Sequence, residues 1–113
     1  MTGPDFSVIV SGSPEHPVVE VSGEIDYRTG VALANRVDGL LENPPSRLSI
    51  DLSAVGFCAS GSVSALVAVH QATKRTNTDL DLVNVPPNLH RLLELSGVLG
   101  LFRIQPMADA DGG

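Results

Sequence analysis

The 113-residue chain is 42% hydrophobic and carries a net charge of −6, from 7 Lys+Arg against 13 Asp+Glu, a composition suited to one soluble domain around a single core with no room for a second. So few cations argue against sequence-independent binding to nucleic acid or to anionic lipid, where clustered positive charge must displace counterions. Cys58 alone permits no intrachain disulfide, no apolar run approaches the roughly 18 to 20 residues of a bilayer span, and MTGPDFS lacks a basic n-region and an apolar h-region, so a cytoplasmic setting without membrane insertion is expected.

Residues 1–5 read as a flexible lead-in. Phe6 to Val10 is apolar and β-branched enough for a strand, stopped by the turn signal Ser11-Gly12-Ser13-Pro14, and Pro17 to Ser22 supplies a second strand with Val19 and Val21 on one face. Asp26 has the chemistry to cap a helix that starts at Tyr27. From Tyr27 to Asn43, Leu33, Val37, Leu40 and Leu41 form one helical stripe, and Pro44-Pro45 stops it. Leu48 to Leu52 reads as a buried strand, Ser53 to Ala59 as a turn of small residues. The next helix has Val63, Leu66, Val67 and His70 on its stripe, Ala65 and Val69 beside it, and Lys74-Arg75 at the negative pole of its dipole.

After the polar turn Thr76 to Thr78, Leu80 to Val85 reads as a strand with Leu80 and Leu82 on its apolar side. Pro86-Pro87 opens a last helix whose inward stripe is Leu89, Leu92, Leu93 and Ser96, with Gly97 as its C′ residue. Val98 to Phe102 reads as a short helical turn, Arg103-Ile104 as a last strand, and residues 105–113 as a flexible acidic tail, which leaves one domain over 6–104. The order β-β-α-β-α-β-α implies an α/β fold: a mixed sheet of roughly four to five strands, an opening hairpin and then parallel strands, with about three to four helices. Functional loops in such sheets gather at the carboxyl ends of the parallel strands, and the turn after Leu52 is one of those ends.

That turn sets the hydroxyls of Ser60 and Ser62 beside a helix N-terminus and its unpaired N–H groups, a place for a phosphate or for a partner's polar groups. An enzymatic reading is weak. Ser60, His70 and Asp51 have the types of a hydrolytic triad, but His70 lies about ten residues down the helix, roughly 15 Å of rise from Ser60. His16, His70, His90 and Cys58 show no metal-ligand spacing, neither a P-loop nor a G-x-G-x-x-G is present, and the acidic pair of a response regulator is replaced by Ser11-Gly12. No catalytic residue, metal or cofactor is expected.

Gly23 to Asp26 (GEID), Asp51 to Phe57 (DLSAVGF), Ser60 to Leu66 (SGSVSAL) and Val83 to Phe102 (VNVPPNLHRLLELSGVLGLF) together resemble a STAS domain of the bacterial anti-sigma-factor antagonist type, over roughly Phe6 to Phe102. The resemblance implies a non-enzymatic regulator of sigma-factor-dependent transcription. Its partner would be an anti-sigma factor that is also a serine kinase, bound through the head of the second helix and released when one serine there is phosphorylated. A phosphate adds about −1.5 to −2 charge, which a helix N-terminus tolerates and a docked acidic or apolar surface does not.

The family signature is close to F-[IVLM]-D-S-S-G-L-G-A-L. Aligned without gaps, Ala59 stands at the aspartate, Ser60 at the first serine, Gly61 at the acceptor and Ser62 at the glycine. A one-residue deletion would instead put Ser60-Gly61 on the acceptor and its glycine, at the cost of the helical register of Val63, Ala65 and Leu66; the period of 3.6 favours the ungapped alignment. Ser60 and Ser62 are thus the phosphorylation candidates, or plain N-caps. Asp26, Cys58, Ala59, Ser60, Gly61 and Ser62 are the candidate partner-binding residues, with Asp26 also a helix cap and Cys58 also a small buried side chain. Self-association, if any, is expected to be a weak homodimer. The other reading is a STAS interaction module without the phosphoswitch, a scaffold or a soluble subunit of a transport or signalling complex.

Overall fold

The computed structural model describes residues 6–105. The strands are β1 (Ser7–Ser13), β2 (His16–Ile25), β3 (Arg47–Cys58), β4 (Asp79–Val83) and β5 (Arg103–Gln105); the helices are α1 (Tyr27–Leu40), α2 (Gly61–Arg75) and α3 (Pro87–Leu95), with a 3₁₀ turn at Leu99–Leu101. They form a five-stranded sheet in the order β1-β2-β3-β4-β5, with β1 antiparallel to β2 and all later pairs parallel. The expected mixed sheet is thus present. Residues 1–5 and 106–113, expected to be flexible termini, lie outside the described residues, but Gln105, expected in the tail, closes β5.

Each crossover steps to the next strand in the same direction, so right-handed connections place all three helices over one face. The register agrees. Val10, Val19, Ile50, Leu82 and Ile104 form one row across the sheet, its three middle members fully buried, and Leu33, Val37, Leu66, Leu89 and Leu93 pack over that face from the helices. The next row, Ser11, Val18, Ser49, Asp81 and Arg103, points the other way and is polar at most positions. There Asp81, overlooked in the alternation of Leu80 to Val85, is 3% exposed and is held by Arg47 and approached by Arg103.

The sharpest departure from expectation is β3. Ser53 to Ala59 is not a turn: the strand runs on to Cys58, and its ladder with β2 slips by one residue between Glu20 and Ser22 and again between Gly23 and Glu24. Each slip is a bulge in which β3 carries one extra residue, so the buried side passes from Leu52 to Val55 and then to Cys58 at three-residue steps. A period of three looks like neither strand nor helix. Gly23, at φ +92, supplies the left-handed backbone on the β2 side of the second bulge.

Other boundaries shift for local reasons. β1 extends to Ser13 because Gly12, at φ +85, stays in the ladder and leaves Pro14-Glu15 as a two-residue turn. Asn84 at φ 58 ends β4 before Val85. α1 stops at Leu40 rather than Asn43. The buried stripe of α2 is Ser62, Ala65, Leu66, Val69, Ala72 and Thr73; of the expected stripe only Leu66 is fully covered, and Val63, Val67 and His70 are half-buried at its margin. Small side chains turn inward because α1 lies against α2. Ser96 is exposed at the C-cap of α3, and the N–H groups of Gly97 and Val98 bond the carbonyls of Glu94 and Leu93, closing the helix in a Schellman motif.

Candidate partner-binding site at the head of the second helix

Two residues, Ala59 and Ser60, join β3 to α2. The Ala59 N–H donates to the Ile25 carbonyl at 2.8 Å, so the end of β3 is tied to the end of β2, and the helices that leave those strands start side by side. They touch through glycine. A Cβ on Gly61 would lie 2.6 Å from the Tyr27 nitrogen and 2.7 Å from its Cα, and one on Gly30 would lie 2.7 Å from the Ala65 Cβ. Gly61 is the position the ungapped resemblance sets on the acceptor serine, and the obstacle there is main chain rather than a side chain that could swing aside.

At the α1 head, Asp26 is exposed and forms a capping box: the Thr29 N–H donates to its carboxylate at 2.9 Å, and its own N–H donates to Thr29 Oγ1 at 2.9 Å. Thr29 Oγ1 donates in turn to the Glu24 carbonyl. The Thr29 N–H holds the Asp26 carboxyl below the usual carboxylate range; desolvation opposes it, and the Thr29 hydroxyl and Arg28 add to the lowering.

The two serines differ. Ser60 occupies the N-cap position in helical conformation, is exposed, and makes no capping bond, so its hydroxyl faces solvent. Ser62 is fully buried and donates to the Ala59 carbonyl at 2.6 Å. Neither serine caps the helix as a plain N-cap would. Cys58 is 3% exposed, and burial pushes its thiol up to about 11, only partly offset by the Ser62 hydroxyl. Ala59 and Gly61 are half-buried. Of the six candidates, Asp26 and Ser60 present side chains to solvent, while Cys58 and Ser62 support the turn from below.

Four large residues absent from the candidate set are exposed around the α2 head. Tyr27 (72% exposed) and Val31 (44%) stand on one side of the α2 head, Phe57 (55%) and Leu95 (71%) on the other. Tyr27 and Val31 border a cavity of about 210 Å³ between α1 and α2; Phe57 and Leu95 border a wider groove with Ser60, Arg91 and Leu92. Their signal was in the sequence: Tyr27, Val31 and Leu95 are large apolar residues off the inward stripes of their helices. Phe57 is turned outward by the second bulge.

The enzymatic set does not assemble. His70 packs edge-on against Phe102, and Asp51 sits on the open sheet face, where burial works to raise its pKa but the Ser53 N–H and the Asn84 amide outweigh it and hold the carboxyl low. Among the described residues no three His, Cys, Asp or Glu side chains gather as metal ligands, and no helix is long and apolar enough to cross a membrane.

Residues 8–104 match the family described as "Mlab, STAS domain". The chain belongs to the STAS-domain family. This STAS domain is 25% identical over 93 residues to an anti-sigma F factor antagonist of Paenibacillus polymyxa, covering 81% of this chain and 77% of that one. It is 35% identical over 72 residues to the anti-sigma-F factor antagonist RsfB of Mycobacterium tuberculosis, covering 63% of this chain and 59% of that relative. The crystal structure of an anti-sigma factor antagonist from Mycobacterium paratuberculosis superposes with a TM-score of 0.80 at 30% identity, over 93% of this STAS domain and 89% of that chain.

Proposed function

We propose that this STAS domain is an anti-sigma-factor antagonist that acts in the cytoplasm without catalysis. It binds an anti-sigma factor of the serine-kinase type through the α2 head, and so frees a sigma factor for transcription. The observation that carries the reading is the meeting of two helix N-termini at Ser60, with its free hydroxyl, between the exposed pairs Tyr27/Val31 and Phe57/Leu95. Large exposed apolar groups around a polar centre are what a protein interface buries. Residues 6–104 act as one domain, and the free chain is at most a weak homodimer.

Ser60 is the hydroxyl a kinase reaches; Ser62 would first have to leave the core and its bond to Ala59. A second reading, binding without a phosphoswitch, as in a scaffold or transport-complex subunit, is favoured by the close approach at Gly61, which leaves no space for an acceptor side chain there. Each anti-sigma factor encoded in the same genome, expressed singly and titrated by calorimetry, tests the binding. Asp26→Ala and Ser60→Trp are each expected to weaken the cognate pair at least tenfold, and if both leave affinity unchanged the α2 head is not the binding face. Incubation with that partner and ATP, followed by mass spectrometry, separates the two readings: phosphate on Ser60 supports the switch, and an unmodified chain supports constitutive binding.

A further inference from the structure

We infer that the free edge of β1 is a docking edge, separate from the α2 head, that takes an extended acidic segment of another protein as a sixth strand of the sheet. β1 is the first strand of the order β1-β2-β3-β4-β5, so one side of its main chain pairs with β2 and the other pairs with no strand. Unpaired N–H and C=O groups along such an edge are a template for a further strand, and edges are ordinarily blunted by charge, proline, a bulge or short length. β5, at the other edge, is three residues long and begins with Arg103. β1 has none of these devices. Ser7–Ser13 runs seven residues without a charge or a proline, its register with β2 shows no slip, and Ile9 is 59% exposed.

The α1 side of that edge is shaped for alternate side chains. Phe6, Val8 and Val10 point to the core face but are only half-buried, and beside them lie two hollows in line. Phe6 and Val8 form the first with Ala32, Asn35 and Arg36, and Val10 forms the second with Gly39 and Leu40. Residues two apart on a strand are separated by roughly 7 Å, so side chains i and i+2 of an added strand fall into successive hollows. Main-chain bonds then supply affinity, and the hollows supply specificity. Arg36, exposed and paired with no carboxylate among the described residues, is the one charged side chain that lines either hollow. Its guanidinium selects a carboxylate on the side chain that enters the first hollow, with an apolar one two residues on. A second copy of this chain fits less well, because SVIVSGS brings no carboxylate to Arg36. A helix, whose main-chain groups bond one another, would leave the edge unpaired.

The test is an amide ¹H–¹⁵N titration of the full chain with two synthetic extended peptides of alternating valine and threonine, identical except that one central valine is Glu in the first and Lys in the second. The Glu peptide is expected to shift Ser7 to Ser11, Ala32 and Asn35, and to bind about five- to tenfold tighter than the Lys peptide at low salt. Arg36→Glu, at an exposed position, is expected to reverse that order, and Ala32→Glu, also exposed, to abolish binding of the Glu peptide, each at an unchanged melting temperature. A Glu peptide N-methylated throughout should not bind, since it has no donor for the edge. Equal affinity for the two peptides, an order unchanged in Arg36→Glu, binding that survives N-methylation, shifts confined to the α2 head or to β5, or no shift with either peptide overturns the inference. So does a free chain that sediments as a dimer with its Ser7 to Ser13 amides protected, since a second copy would then hold the edge.

Discussion

Gly61→Ser would return a hydroxyl to the position where the family signature carries one. Its Cβ would start 2.6 Å and 2.7 Å from the nitrogen and Cα of Tyr27, where ordinary carbon contacts lie at about 3.5 to 4.0 Å. The heads of α1 and α2 would have to part by most of an ångström, opening the Gly30–Ala65 contact that holds them together. Overpacking of this kind costs about 1 to 3 kcal/mol, and the lower unfolded-state entropy of serine returns at most about 1 kcal/mol. The expected net loss is about 1 to 2 kcal/mol, read as a lower urea midpoint at unchanged m-value. Gly39→Ala, on α1 with nothing within 4 Å of the added Cβ, serves as the control and should be neutral or stabilising. A Gly61→Ser protein as stable as the parent would refute the steric explanation for the missing acceptor.

Asp26→Asn keeps a good cap but removes the charge. Because the folded carboxyl titrates below its unfolded value, its contribution is present above the ordinary carboxylate range and lost as pH falls through the folded value, so the stability gap between parent and variant should hold from about pH 5 to 7 and close below about pH 4; a gap that widens on acidification contradicts the cap. Cys58, with its thiol buried and pushed up to about 11, should resist a disulfide reagent at pH 8 until urea unfolds the chain, and complete native-state labelling within minutes would contradict that burial. Asp81→Ala should cost about 1 kcal/mol, because it removes the buried carboxylate that Arg47 and Arg103 share at the start of a three-residue edge strand, while both arginines keep contact with water. Early hydrogen exchange in β5 would accompany the loss, and unchanged protection there would argue against the clamp.

Much of the fold was legible because its signals are periodic or chemical. The Leu33/Val37 stripe, Pro86-Pro87 and Gly97 each fix a boundary or a face through local physics, and Asp26 announces a helix start by its capping chemistry. The end of β3 was hidden because two bulges break the alternation that identifies a strand, and a bulge is decided by the pairing with β2 rather than by β3 alone. Asp81 was hidden by the same logic: its partners are Arg47, 34 residues earlier, and Arg103 on the neighbouring edge strand β5, which the pairing alone brings beside it. At the proposed site, the serines are what point to the α2 head. The sequence could not separate Ser60 from Ser62, because one hydroxyl faces solvent and the other the core only once the rotation of α2 against α1 is set. Nor could it foresee Phe57, whose outward aim depends on the second bulge.

Hydrogen exchange by mass spectrometry on the chain with and without its anti-sigma factor tests the partner-binding face most directly. Binding at the α2 head should slow exchange across Asp26 to Val31 and Phe57 to Ser64 while leaving the strand segments Ser7 to Ser11 and Val18 to Glu20 unchanged. Protection on the open sheet face, with the α2 head exchanging as in the free protein, would contradict it.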